Sequence, residues 1–134
     1  MSQPFETRTL ESAPVVIAPD GSAVRPLCVL PGAGSFAHFR LGPDDVARAV
    51  VHETVQEIWF VVAGAGQMWR RQGETEETVA LTPGVCLTIP LGTAFQFRAA
   101  PGSPLEIVAA TMPPWPIESD TEATPVEGIW TPTV

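Results

Sequence analysis

The sequence predicts an all-β fold in a single domain, and three observations lead to this prediction. The 134 residues include 15 prolines and 11 glycines, too many turn-forming residues for a helical bundle. The apolar residues fall in short runs between turn signals, and no segment keeps a helical period over three turns. With 45% hydrophobic and 16% charged residues, the chain is also too apolar to be disordered.

The short apolar runs give a series of predicted strands along the chain. Proline–glycine turn signals such as Pro31-Gly32, Pro83-Gly84 and Pro101-Gly102 separate them. The segment with the most helical character, Pro43–Val50, runs into β-branched residues, so we expect one helical turn there at most. The predicted strands are Glu6–Leu10, Pro14–Ala18, Val24–Leu30, Ser35–Leu41, Ala47–His52, Glu57–Ala63, Gly66–Arg71, Thr78–Leu81, Val85–Pro90, Ala94–Arg98 and Leu105–Thr111.

The predicted strand Glu57–Ala63 is apolar on both of its faces apart from Glu57. A strand with one solvated face would alternate apolar and polar residues. One face must therefore fill the core, and a second sheet, the tail or another subunit must cover the other. On this basis we expect a homodimer.

The composition changes near the end of the chain, which divides it into a barrel domain over residues 1–112 and a tail over residues 113–134. The run Pro113-Pro114-Trp115-Pro116 favours an extended backbone, because proline fixes φ and lacks an amide donor. Trp115 and Trp130 are poor choices for a solvated tail. We therefore expect the tail to pack on the barrel or on a neighbouring subunit.

The charge of the chain argues against several classes of partner and chemistry. Seven basic residues face fifteen acidic ones, a net charge of −8, so we expect no nucleic-acid or anionic-membrane partner. There is no lysine, which excludes Schiff-base chemistry and a P-loop. The first residues show no secretory signal, so we expect a cytoplasmic protein in which Cys28 and Cys86 are reduced.

Two blocks of sequence, each joining a strand to a glycine turn, carry the candidate chemistry. The first runs from His52 through Glu57 to Gly64, and the second is Gly84–Phe95, with Pro90 and a further glycine inside it. An imidazole and a carboxylate from one strand and its approach can meet on a divalent ion. A carboxylate inside a barrel is costly without a partner, so Glu57 needs either a neighbour such as His52 or a raised pKa.

These blocks resemble the two motifs of the cupin superfamily of small jelly-roll barrels. Glu57 and Gly64 fit the end of the first motif, and His52 falls on its second histidine. Gly84 and Pro90, with the glycine two residues later, fit the spacing of the second motif. The resemblance implies an all-β, cupin-type jelly-roll β-barrel.

The resemblance also implies a ligand set, and this sequence departs from it. Cupins that bind metal use two histidines and a glutamate from the first motif and a histidine from the second. Val50 falls on the first of these histidines and Phe95 on the last, so His52 and Glu57 remain. We expect the only other histidine, His38, to complete the site as a third metal ligand or catalytic group.

The position of His38 and the remaining pocket follow from strand periodicity. A period of two places His38 on one face with Phe36 and Arg40, and we expect that face to line the barrel interior. Arginines hold carboxylates well, so we expect Arg40 and Arg98 to line a ligand pocket. The other expected pocket residues are the aromatic Trp59, Phe95 and Phe97.

Two functions from different classes remain open at this stage. One is a small enzyme such as an isomerase or dioxygenase, with His52, Glu57 and His38 holding one Mn, Fe, Ni or Zn ion or acting as acid and base. The other is a non-catalytic, metal-free protein that binds or senses a small molecule. The retained His52 and Glu57 favour the first, and the loss of the second-motif histidine favours the second.

Overall fold

The computed structural model describes residues 3–116 and 122–134. Within those residues it contains strands and no helix, so no helix there is long and apolar enough to cross a membrane. The strands are β1 Val16–Ile17, β2 Ala23–Leu30, β3 Gly34–Leu41, β4 Val50–His52, β5 Gln56–Gly64, β6 Gly66–Gln72, β7 Thr75–Leu81, β8 Cys86–Ile89, β9 Ala94–Ala99, β10 Leu105–Met112 and β11 Ala123–Pro125.

The strands form two antiparallel sheets that face each other across one core. The six-stranded sheet has the order β1-β2-β3-β10-β5-β8, and the five-stranded sheet has the order β11-β4-β9-β6-β7. Strand β10 lies between β3 and β5 in the first sheet. Because β4, β6, β7, β9 and β11 belong to the second sheet, the chain crosses repeatedly from one sheet to the other. This is a jelly-roll barrel, and the prediction of an all-β fold is confirmed.

The pleat of each strand decides which side chains enter the barrel. On β5, Glu57, Trp59 and Val61 are buried, whereas the residues between them are 42–44% exposed. Trp59 stands at the centre of the core, with its ring 5.5 Å from Phe39 and 4.9 Å from Phe97. Such aromatic packing fills the barrel with side chains.

The structure shortens the predicted strand Pro14–Ala18 to the two residues of β1, and it corrects the predicted strands further at three places. Glu6–Leu10 is not a strand, because its residues are exposed and pair with no neighbouring strand; the Glu6 side chain instead accepts a hydrogen bond from the Val29 amide. The predicted strand Ala47–His52 keeps only its last three residues as β4. Strand β11 was not predicted, since it lies in the proline-rich tail and pairs only with β4.

Residues of the tail pack on the outer face of the five-stranded sheet. Val126 and Trp130 lie against a small apolar cluster on that face, formed by Ala49, Trp69 and Ala94. Gln96, which is 1% exposed, fixes the tail there. Its amide group donates to the Ala47 and Trp130 carbonyls, and its oxygen accepts from the Ile129 and Trp130 amides.

We predict that Gln96→Leu lowers the free energy of unfolding by about 3 kcal/mol, because it leaves several buried backbone groups without partners. Urea unfolding measures this loss. The matched control is Gln72→Leu, which removes a single hydrogen bond to Thr93 from an exposed residue and costs less than about 1 kcal/mol. Equal losses in the two variants would contradict the role given to Gln96.

Candidate functional site

The four positions that the resemblance assigns to metal ligands meet at one small cavity. Val50 and His52 are two residues apart on β4, so both point into the barrel. Val50 pairs across the sheet with Phe95, and Glu57 enters from β5 in the facing sheet. The space that these side chains enclose is about 10 Å³, room for about one water molecule.

His52 lies between two carboxyl groups. Its Nε2 atom is 3.4 Å from Glu57 Oε2, and its Nδ1 atom is 3.4 Å from Glu122 Oε1. The imidazole ring stacks on Phe95, with 5.7 Å between the ring centres. His52 is 9% exposed and Glu57 is 3% exposed, so the pair is almost fully shielded from solvent.

Burial changes the proton affinity of both groups. Burial, with a further contribution from the nearby Asp20 carboxyl, raises the pKa of Glu57 to about 8. Burial also lowers the pKa of His52 below its ordinary value, although the charges of Glu122 and Asp20 oppose this shift. At neutral pH, therefore, Glu57 is a neutral acid beside a neutral imidazole.

Glu122 is held in place by the turn that joins β4 to β5. Its carboxylate accepts hydrogen bonds from the Thr54 and Val55 amides at 3.0 and 2.9 Å and from the Thr54 hydroxyl at 2.8 Å. Burial opposes the charged form, but these hydrogen bonds lower the pKa of Glu122 below its ordinary value. A fixed negative charge consequently faces the Nδ1 atom of His52.

Sequence reasoning missed Asp20 and Glu122. Asp20 belongs to a turn signal, and its carboxylate accepts hydrogen bonds from the Ser22 amide and hydroxyl at 2.9 and 2.6 Å. Burial raises the pKa of Asp20. Glu122 lies in an acidic part of the tail, where nothing in the sequence distinguishes it from the other acidic residues nearby.

The carboxyl groups around His52 determine which of its two ring nitrogens carries the proton. The Glu122 carboxylate favours a proton on Nδ1, which leaves Nε2 as an acceptor facing Glu57. Two buried polar atoms of the described residues have no hydrogen-bond partner, His52 Nδ1 and Trp59 Nε1, and both side chains line this cavity. The site therefore combines a neutral carboxyl donor, an imidazole acceptor and an indole N–H group.

The donor set does not fit a resident metal ion. His52, Glu57 and Asp20 line the cavity with donor atoms, but Asp20 is engaged by the Ser22 amide and hydroxyl. Val50 and Phe95 occupy the other ligand positions with apolar side chains. Glu122 faces the opposite nitrogen of the imidazole, so it cannot share an ion with Glu57. In residues 3–116 and 122–134, no group of three or more histidine, cysteine, aspartate or glutamate side chains is arranged to hold a metal. The unpaired indole N–H group favours an oxygen acceptor rather than a cation.

The structure does not bring His38 to this cavity. On β3 the residues that point inward are Ala37, Phe39 and Leu41, and His38 lies on the opposite face with Phe36 and the exposed Arg40. His38 Nε2 is 3.0 Å from Glu106 Oε1 on the neighbouring strand β10. The expectation that this face lines the barrel interior is wrong, because the pleat places Phe39 in the core.

The expected pocket residues likewise divide between the two sides of the barrel wall. Trp59, Phe95 and Phe97 are buried inside. Arg98 lies outside the barrel, where its guanidinium stacks on the Trp130 ring at 4.2 Å and donates to the Gln67 side chain. Neither Arg98 nor the exposed Arg40 therefore faces the cavity that His52 and Glu57 line.

Comparison with known proteins establishes the fold. The structure is similar to the capsular polysaccharide assembling protein CapF from Staphylococcus aureus, with a TM-score of 0.68 and 14% identity over 83% of this chain and 34% of that one. It is similar to FeII HppE, with a TM-score of 0.68 and 14% identity over 83% of this chain and 62% of that one. KdgF from Halomonas sp. matches with a TM-score of 0.68 and 16% identity over 82% of this chain and 94% of that one.

These neighbours are cupin-fold proteins, so the resemblance seen in the sequence motifs is confirmed at the level of the fold. No protein-family model matches the sequence, and no curated protein is similar to it in sequence. The chain spans about a third of the length of CapF and 62% of that of HppE. Identities of this size carry no information on activity.

We predict that Glu57→Gln becomes more stable relative to the natural chain as the pH rises. Glu57 keeps its proton up to about pH 8 in the folded state but releases it near 4.5 when unfolded. The stability that Glu57 contributes by keeping its proton is fully present below pH 4.5 and is lost as the pH rises through 8, whereas glutamine does not titrate. Between pH 5 and pH 7 the difference in the free energy of unfolding between the two proteins shifts by about 2 kcal/mol in favour of the variant.

Urea unfolding at the two pH values measures this shift. The comparison with the natural chain cancels the opposite pH dependence that His52 contributes to both proteins. Glu106→Gln is the matched control, since its half-exposed side chain lies outside the barrel. A difference that stays constant between pH 5 and pH 7 would show that Glu57 is ionised in the folded protein.

We also predict that Glu122→Gln lowers the pKa of His52 further, because it removes a negative charge that favours the imidazolium. The measurement is an NMR titration of the imidazole C–H resonances, in which His52→Gln assigns the two histidines. Glu53→Gln, at a neighbouring exposed glutamate, is expected to leave the titration of His52 unchanged. An unaltered titration in Glu122→Gln would contradict the assigned role of Glu122.

Proposed function

We propose that this cupin-fold chain binds a small molecule through a carbonyl or hydroxyl oxygen and exchanges a proton with it, without a resident metal ion. The observation that carries the proposal is the pair of Glu57 and His52, 3.4 Å apart and buried at a cavity with apolar residues in the other ligand positions. An acid and a base with oppositely shifted pKa values are typical of proton-transfer sites.

The protonation states give each group a role. Glu57, whose pKa is raised to about 8, donates a hydrogen bond or a proton to the oxygen of the ligand. His52 accepts at Nε2 the proton that a hydroxyl group of the ligand releases, while the Glu122 carboxylate stabilises the imidazolium that forms. The Trp59 indole N–H is a second donor close to Glu57, where it favours the charged form of the carboxyl group and so partly opposes the effect of burial.

The size and cover of the cavity limit what can bind. Its volume accommodates about one oxygen atom, so only the polar end of a ligand fits between Glu57 and His52. Pro19 and Trp115, which lie outside the strands, also line the cavity, as does Ala123 at the start of β11. The remainder of a ligand has to lie against these residues or displace Trp115.

The alternative function is a metal-dependent enzyme. Among the structural neighbours, HppE is described in its iron(II) form. In this chain, His52 and Glu57 would be the residues that hold an ion, and other ligands would have to come from the substrate or solvent. The two functions differ in a simple quantity, the number of metal ions that each chain retains.

The first test is the metal content of the full chain after incubation with Mn, Fe, Ni or Zn ions, one at a time, and removal of free metal. We expect far less than one ion per chain, and no difference between the natural chain and His52→Ala. About one ion per natural chain that is absent from His52→Ala would overturn the metal-free proposal and support the alternative.

The second test is ligand binding observed by NMR of the backbone amides, with short carboxylic acids, hydroxy acids, keto acids and aldoses as probes. We expect a binder to shift the amides around His52 and Glu57, and to lose affinity at least tenfold in His52→Gln. His38→Gln, a change of the same kind on the outer face, is expected to bind like the natural chain. Binding that is indifferent to His52→Gln would place the ligand elsewhere.

A further inference from the structure

A second cavity, of about 390 Å³, lies on the outer side of the six-stranded sheet, between its strands and the N-terminal segment formed by residues 3–6. Phe36 of β3 and Ala110 of β10, which are partners across the sheet, both line this outer cavity. Met112 at the end of β10 and Leu30 at the end of β2 line it as well. The outer cavity is therefore built from three strand ends and a segment that crosses them.

The N-terminal segment is attached to the edge of the sheet through two side chains. Gln3 Nε2 donates to the Val29 carbonyl at 3.2 Å, and the Val29 amide donates to Glu6 Oε1 at 3.1 Å. Strand β1 pairs with the other end of β2, so the edge of the sheet is open at Val29, and these side chains take the place of a neighbouring strand. Because side chains rather than the backbone make the link, space remains between the segment and the sheet.

The large apolar side chains around the outer cavity are exposed. Phe5 is 100% exposed, Leu30 is 65% exposed and Phe36 is 42% exposed. Exposed apolar side chains grouped around a concave surface are typical of ligand sites, whose volumes are about 300–1,000 Å³. A volume of about 390 Å³ accommodates about a dozen non-hydrogen atoms at about 30 Å³ each, so a small molecule fits this space.

Glu6 is the charged residue among the described residues that line the outer cavity. Its Oε1 atom accepts the hydrogen bond from the Val29 amide and lies 3.6 Å from Arg8 Nε. The ion pair with Arg8 is open to solvent on both sides, and such pairs contribute little. Both contacts are made by Oε1, so Oε2 is the oxygen that can meet a ligand.

We propose that the outer cavity binds a small apolar molecule that carries a protonated amine. The apolar part lies against Phe36 and Leu30, and the ammonium group meets the Glu6 carboxylate. The net charge of −8 also favours a cation, whereas a carboxylate ligand would meet a like charge at Glu6. This site is distinct from the cavity inside the barrel, because Phe36 and the inward-facing Phe39 lie on opposite faces of β3.

The test is a titration of the full chain with octylamine, octan-1-ol and octanoate, observed by NMR of the backbone amides. The three probes share one alkyl chain and differ in the charge of the polar end. We expect octylamine to shift the amides that line the outer cavity and to bind at least tenfold more tightly than octanoate, with octan-1-ol between them. Glu6→Gln keeps an oxygen for the Val29 amide but loses the charge, so we expect it to remove the advantage of octylamine over octan-1-ol.

Two phenylalanines on the outer side of the same sheet provide a matched pair of variants. Phe36→Ser is expected to weaken octylamine binding at least fivefold, because Phe36 lines the outer cavity. Phe60→Ser is expected to bind like the natural chain, because Phe60 has almost the same exposure, 44%, but does not line that cavity. If Phe36→Ser fails to fold, Leu30→Ser gives the same comparison.

Four results would overturn the proposal. One is the absence of octylamine binding at millimolar concentrations, and another is equal affinity for the three probes. A third is an equal loss of affinity in Phe36→Ser and Phe60→Ser, which would indicate adsorption to the sheet face in general. The last is a loss of octylamine binding in His52→Gln, which would place the amine inside the barrel and leave the proposed function itself untouched.

Discussion

A carboxyl group almost without access to water is the constraint around which this barrel is organised. Glu57 points inward because alternate residues of β5 share a face, and Trp59 and Val61 on that face lie in the core. Ionisation of a carboxyl group in such a place is expensive. The cost is reduced because the side chain keeps its proton and shares a cavity with His52 rather than with an unpaired charge.

The surroundings of His52 follow from the same constraint. The imidazole is neutral, stacked on Phe95 and oriented by Glu122, which is itself fixed by the amides of the turn before β5. The tail thus contributes Glu122 to the site and, through Trp130 held by Gln96 of β9, covers the five-stranded sheet. Fold and site therefore both depend on the tail, through different residues.

The sequence predicted the fold and the centre of the site because both depend on local spacing. Strand alternation and glycine turns located most of the strands, and motif spacing brought Val50, His52, Glu57 and Phe95 to one cavity. His38 was predicted on the inner face of the barrel but lies on the outer face. The two-residue period of a strand shows which residues share a face, but it does not show which of the two faces is inside. Asp20 and Glu122 were missed because they reach the site through tertiary contacts that connect distant parts of the chain.

The register between β4 and β9 limits the chemistry of the cavity. Val50 and Phe95 are direct partners across the sheet, and both side chains reach the cavity that holds His52 and Glu57. Two apolar side chains therefore occupy a directly paired position of the sheet at this cavity, and each removes one place from which a donor atom could reach a ligand held by His52 and Glu57.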